Sequence, residues 1–184
     1  MVEIAIPDPS CILLVGAAGS GKSTFAVRHF PAGAVVSSDA MRAAIGSGED
    51  DQSVSRPAFA ALHRSLDRRL ASGRLTVVDA TNLTAAARRA IRRIAQRHDV
   101  PVVAIIFDLP APLVHERNAA RHGRQVPETV VTRQLGVLRA LLGTGQLASE
   151  GYSEIVHVQD RETLDRLMVR LEPRTQGHRQ HKDR

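Results

Sequence analysis

Residues 16–23 read GAAGSGKS, a match to G-x-x-x-x-G-K-[ST] that follows an apolar run and precedes an amphipathic one. Glycines let successive backbone N–H groups turn inward around an anion, and a helix starting at the end of the loop adds its positive N-terminal end. On this reading Gly16, Ala17, Ala18, Gly19, Ser20, Gly21, Lys22, Ser23 and Thr24 bind the phosphates of ATP. Lys22 reaches the outer phosphates, and the Ser23 hydroxyl ligates Mg2+ together with waters. The chain has 23 Arg but only two Lys, and the second, Lys182, lies in a polar C-terminal tail. Codon bias explains the arginines but not this exception. A slim ammonium on a flexible stem enters a backbone cradle where a planar guanidinium does not.

Two further sets of residues could complete a phosphoryl-transfer site. Asp39, Asp79 and Asp108 each follow an apolar run, so in an open parallel sheet they stand at the carboxyl ends of strands, where the active crevice lies. In SSDAMR, Asp39 could take a proton from an acceptor hydroxyl, and Arg42 could bind an acceptor phosphate. Asp79 could act through magnesium-bound water. By residue type alone each lone aspartate also suits a cap or a turn, Asp108 before Leu109 and Pro110 most of all. Residues 113–126 read LVHERNAARHGRQV, with Arg117 and Arg121 four apart and Arg124 after Gly123. On a helix the first two share a face, which describes either an exposed basic helix or a lid that closes over a triphosphate. Beside a phosphate loop, the lid is the better fit.

The elements that must position these residues are legible as alternating short apolar and longer amphipathic segments, the pattern of crossover units on a parallel sheet. Buried strands are expected at 11–15, 34–36, 75–78, 102–107 and 155–158. A helix over 57–71 would turn Phe59, Leu62, Leu66 and Leu70 inward. A second, capped by Thr84 and reaching His98, would turn Ala87, Ile91 and Ile94 inward and Arg88, Arg89, Arg92 and Arg93 outward. A third opens at Pro127, and the polar segment 46–56 reads as a loop. One domain over 1–172 follows, with 173–184 as a basic tail or linker.

Composition narrows the partners less than it first suggests. Of the net charge of +6, +3 sits in residues 173–184, which hold four basic residues and one acid. Residues 64–97 hold nine Arg against Asp67 and Asp79, either a phosphate-attracting surface or two solvated helix faces. The single cysteine, Cys11, rules out an intrachain disulfide and a thiolate metal cluster. The N-terminus lacks the basic and apolar regions of a signal peptide, and no apolar run approaches a membrane span, so a cytoplasmic protein without a membrane partner is expected. With five aromatics and no Trp, a stacking surface for many bases is not expected.

GAAGSGKSTFA, SSDAMR, the DQSVS loop, TVVDATN and ERNAARHGRQV, in this order, resemble the polynucleotide 5′-kinase module of the bacterial kinase-phosphatase-ligase RNA repair enzymes. The likeness runs over about residues 3–171. It implies a P-loop, adenylate-kinase-like α/β fold: a parallel sheet of about five strands flanked by helices, with a helical arginine-bearing lid. It also implies ATP- and magnesium-dependent phosphorylation of a 5′-hydroxyl end of RNA or DNA. Lys22, Asp39, Arg117 and Arg121 become the catalytic set, with Asp39 as general base, and Arg117 and Arg121 also touch ATP. Arg42, Gln52, Val54, Asp79, Thr81, Asn82 and Arg124 fall near the acceptor. In the repair enzymes phosphatase and ligase domains follow, whereas here a basic tail follows. The chain therefore reads as a module of a longer protein or as a free-standing kinase.

Two other readings fit the residues. A kinase for a small metabolite or sugar nucleotide would use a similar loop, lid and strand-end aspartates. A nucleotide-dependent switch or RNA-binding module would need no acceptor chemistry, but the chain lacks the N-K-x-D string of guanine readers.

Overall fold

A computed structural model of the chain describes residues 2–46, 52–121 and 125–174. In chain order its elements are β1 (Val2–Asp8), β2 (Cys11–Gly16), α1 (Lys22–His29), β3 (Val35–Ser37), α2 (Ser38–Ile45), α3 (Ser55–Ala71), β4 (Thr76–Asp79), α4 (Ala85–Arg97), β5 (Val102–Phe107), α5 (Ala111–Ala119), α6 (Glu128–Gly143), α7 (Gln146–Ser149), β6 (Glu154–Val158), α8 (Arg161–Arg166) and β7 (Leu167–Pro173). Five strands form a parallel sheet in the order β3-β4-β2-β5-β6. Its central strands β2, β4 and β5 are buried throughout, as near-continuous apolar runs require when helices cover both faces. One face packs Ile12, Leu14 and Ile105 with Phe25 and Val131. The other packs Leu13, Val15 and Ile106 with Leu62, Leu66 and Ile91. No helix among the described residues is long and apolar enough to cross a membrane.

All five expected strands form, with shifts of a residue or so at their ends. The expectations fail in three instructive places. First, β1 and β7 pair in parallel as a separate two-stranded sheet, with Ile4 opposite Val169 and Ile6 opposite Leu171. That pairing joins segments from opposite ends of the chain, so neither has a local signal. It carries the fold to Pro173, and the Arg174 N–H donates to the Asp8 carbonyl.

Second, the loop ends earlier than the expected 56. Gln52–Val54 forms a 3-10 turn and α3 begins at Ser55, with Pro57 in the first turn, where no intrahelical N–H is required of it. On α3 the buried residues are Ala58, Leu62, Leu66 and Leu70, so Phe59 does not turn into the core. Third, Arg88 is fully buried rather than outward. Its Nε donates to Glu150 Oε2 at 3.0 Å and its Nη2 to Glu150 Oε1 at 2.7 Å, while Nη1 donates to the carbonyls of Leu83 at 2.7 Å and Asn82 at 3.2 Å. A guanidinium with a fork-on-fork carboxylate and two carbonyl acceptors is satisfied inside the protein. Arg89 and Arg93 do face solvent.

Candidate active site

The phosphate loop links β2 to α1. Lys22 is only 7% exposed, and its Nζ donates to the Ala17 carbonyl at 2.7 Å and the Ser20 hydroxyl at 3.3 Å, so the ammonium is folded back into the loop. Burial pushes its pKa down to about 8; the Asp79 carboxylate opposes this, the Arg121 guanidinium adds to it, and Asp39 opposes it. Ser23 donates its hydroxyl to Asp79. The Asp79 carboxyl is held above the usual range, chiefly by burial, against that hydrogen bond and the charge of Lys22. Asp79 thus stands beside Lys22 and Ser23, on the phosphate side of the site.

Asp39 and Arg42 are placed by a helix start. The Ser37 hydroxyl accepts from the N–H groups of Asp39 at 3.2 Å and Ala40 at 3.4 Å and so caps α2. Asp39 then falls in the first turn, and Arg42, three residues on, shares its face and is ion-paired with it. Arg42 is buried and Asp39 partly exposed.

Arg117 and Arg121, the arginines expected in a lid, stand at the end of α5, which stops at Ala119. Arg121 lies just beyond it, with its N–H still bonded to the Asn118 carbonyl. A Cβ added to Gly21, which has φ +91°, would stand 3.3 Å from Arg117 Nη1, so this guanidinium rests against the phosphate loop. Asn118 ties the end of α5 to Val126: its Nδ2 donates to the Val126 carbonyl at 2.7 Å and its Oδ1 accepts from the Val126 N–H at 3.2 Å. Arg124 lies outside the described residues.

These groups line one cleft of about 760 Å³, which Lys22, Ser23, Thr24, Asp39, Arg42, Asp79, Thr81, Arg117 and Arg121 all reach. Asn82 does not line it. It is buried with φ +50°, and its Nδ2 donates to the carbonyls of Leu14 at 2.8 Å and Ala80 at 3.3 Å. The Gly16 N–H donates to the Thr81 carbonyl at 3.0 Å, so residues 80–82 tie the end of β4 to the end of β2. Gln52 and Val54 form the turn before Ser55, the next cleft residue. Gln134, Ser55, Phe59, Leu164 and Asp165 also line the cleft and were missed in the sequence. Gln134 Oε1 accepts from the Ala18 N–H at 2.8 Å, a contact 116 residues apart in sequence and without a local signature.

The residues fit a nucleotide with a magnesium ion. Ser23 and Asp79 are hard oxygen donors already in contact, and among the described residues no group of three or more His, Cys, Asp or Glu forms a cage of its own. That is the donor set of an ion completed by substrate phosphates and water.

A family model described as an AAA domain matches residues 11–142. No curated protein matches the chain in sequence. Among solved structures, a chain of the Pnkp1/Rnl/Hen1 RNA repair complex is 21% identical with a TM-score of 0.62, over 74% of this chain and 46% of that one. This protein therefore spans less than half of that relative. A gluconokinase from Sinorhizobium meliloti 1021 is 19% identical with a TM-score of 0.54, over 86% of this chain and 87% of that one. A sugar kinase from Janibacter sp. HTCC2649 is 22% identical with a TM-score of 0.54, over 82% and 85%. Identities this low establish a shared P-loop kinase-like fold. The matched segment runs from β2 through the phosphate loop, Asp39, Asp79 and Asp108 to Arg117 and Arg121, so the chain belongs to this AAA domain family.

Proposed function

We propose that this protein is an ATP-dependent polynucleotide 5′-hydroxyl kinase acting in nucleic-acid end repair. The observation that carries the reading is the single cleft in which the phosphate loop and lid arginines meet the Asp39–Arg42 pair. In the reaction the 5′-oxygen bonds to the γ-phosphorus while the bond to the β,γ-bridging oxygen breaks, and ADP leaves. Asp39 accepts the hydroxyl proton, with Arg42 fixing the direction of its carboxylate. Lys22, Arg117 and Arg121 offset the charge that builds on the transferring group. Ser23, hydrogen-bonded to Asp79, would hold a magnesium ion, which would neutralise further charge on the phosphate oxygens.

The fold is also that of a gluconokinase of matching length, which favours a small hydroxyl acceptor as a second reading. The two separate in one experiment. γ-Labelled ATP is offered with a short 5′-hydroxyl RNA, the same DNA, and a panel of sugars and sugar acids including gluconate. Label on the oligonucleotides is expected. Label on the panel and none on the oligonucleotides overturns the proposal.

A further inference from the structure

Phe59 is a large apolar residue on α3, yet it belongs to neither core cluster. The core-facing positions of that helix are Ala58, Leu62, Leu66 and Leu70. Phe59 is instead half-buried and lines the cleft with Ser55, Asp39 and Arg42. The other aromatics are engaged elsewhere. Phe25 packs edge-on against Phe30 and Phe107, and Tyr152 lies under Arg92. Among the described residues Phe59 alone of the five aromatics has no ring or cation partner.

Strand order says which substrate this ring meets. The phosphate loop follows the central strand β2. Asp39 and Arg42 follow the edge strand β3, while Leu164 and Asp165 follow β6 at the opposite edge. Since α3 packs against α2 and β3, Phe59 stands on the side of the acid and the guanidinium, away from Leu164 and Asp165. A terminal nucleotide presents a reacting hydroxyl, a neighbouring phosphate and a planar base. Asp39 and Arg42 answer the first two, and an aromatic face answers the third.

We infer that Phe59 is the platform on which the terminal nucleobase of the acceptor stacks, which makes it a specificity residue for acceptors bearing a ring beside the hydroxyl. The inference rests on the kinase reading above. Its test compares the wild type with Phe59→Ala, Phe59→Leu and Phe59→Tyr on two 5′-hydroxyl oligonucleotides, one ordinary and one whose terminal nucleotide lacks its base. Phe59→Ala should raise KM for the ordinary acceptor about tenfold or more with kcat little changed, Phe59→Tyr should restore it, and Phe59→Leu should not. On the abasic acceptor the wild type should already show the raised KM, and Phe59→Ala should add little. Equal losses on both acceptors would mean that Phe59 only supports the fold, and no loss on either would mean that no base stacks there; both overturn the inference but leave the kinase reading standing. An enzyme that labels neither oligonucleotide overturns the kinase reading itself, and the inference falls with it.

Discussion

Gly19 lies directly against Asn118: a Cβ built on the glycine would stand 2.9 Å from the Asn118 Cβ and 2.5 Å from the Val114 carbonyl oxygen. The phosphate loop and α5 are thus in backbone contact. Gly19 also has φ +83°, so a side chain there is strained as well as crowded. Gly19→Ala should cost at least about 1–2 kcal/mol from the backbone conformation alone. Pushing α5 away should also weaken ATP binding by about tenfold or more, which 1.4 kcal/mol would produce. Thermal unfolding and calorimetric titration with Mg-ATP check the two effects separately.

Nucleotide capture should fail at alkaline pH because Lys22 is buried. With its pKa near 8 against 10.5 for an exposed lysine, the free protein loses this proton as pH rises through 8. kcat/KM for ATP, which reports the free enzyme, should fall above about pH 8 with the slope of one proton. Bound phosphates restore the ammonium, so kcat should hold to higher pH. The stability sign is opposite: between 8 and 10.5 the unfolded chain holds more protons, so Lys22's contribution to stability rises with pH across that window. Steady-state profiles and denaturant titrations over pH 7–11 test both directions.

Asp39 and Arg42 should separate in kinetics, with one qualification from their ion pair. Asp39→Asn should lower kcat by about 10²–10⁴ with ATP affinity retained. Near-normal turnover would remove Asp39 as the base. Arg42→Ala should mainly raise KM for the acceptor, and if only ATP affinity falls, the two substrates' sides are reversed. Because the residues touch, the double variant should lose less than the sum of the single effects.

The buried Arg88–Glu150 pair should matter for stability and, through its reach, for the site. Glu150→Ala strands a guanidinium that has no solvent exposure, at a cost of about 3–5 kcal/mol in urea unfolding. Replacing both partners together, Arg88→Met with Glu150→Leu, should recover much of it. Since Arg88 also holds the carbonyls of Asn82 and Leu83, turnover should decline in the single variant even at temperatures where it stays folded.

The phosphate loop, the strand-end aspartates, the SSD-x-x-R start of α2 and the five sheet strands were legible in the chain because each depends on neighbours within a few residues. A glycine cradle, a serine cap and a buried strand are local solutions to local requirements for hydrogen bonding and burial. What joins distant segments had no such signature. The β1–β7 pair, Gln134 on the Ala18 amide, Arg88 turned inward to Glu150 and Phe59 turned outward to the cleft all depend on what the partner segment offers. Periodicity assigned Phe59 to the core and Arg88 to solvent, and both assignments reversed. A buried carboxylate 62 residues away makes a buried guanidinium favourable, and on α3 it is Ala58, not Phe59, that takes the buried position. The lone lysine of the fold was recognisable from its motif. Only the tertiary structure shows it buried at the junction of Asp79, Asp39 and Arg121, because that junction is made where separate strands end side by side.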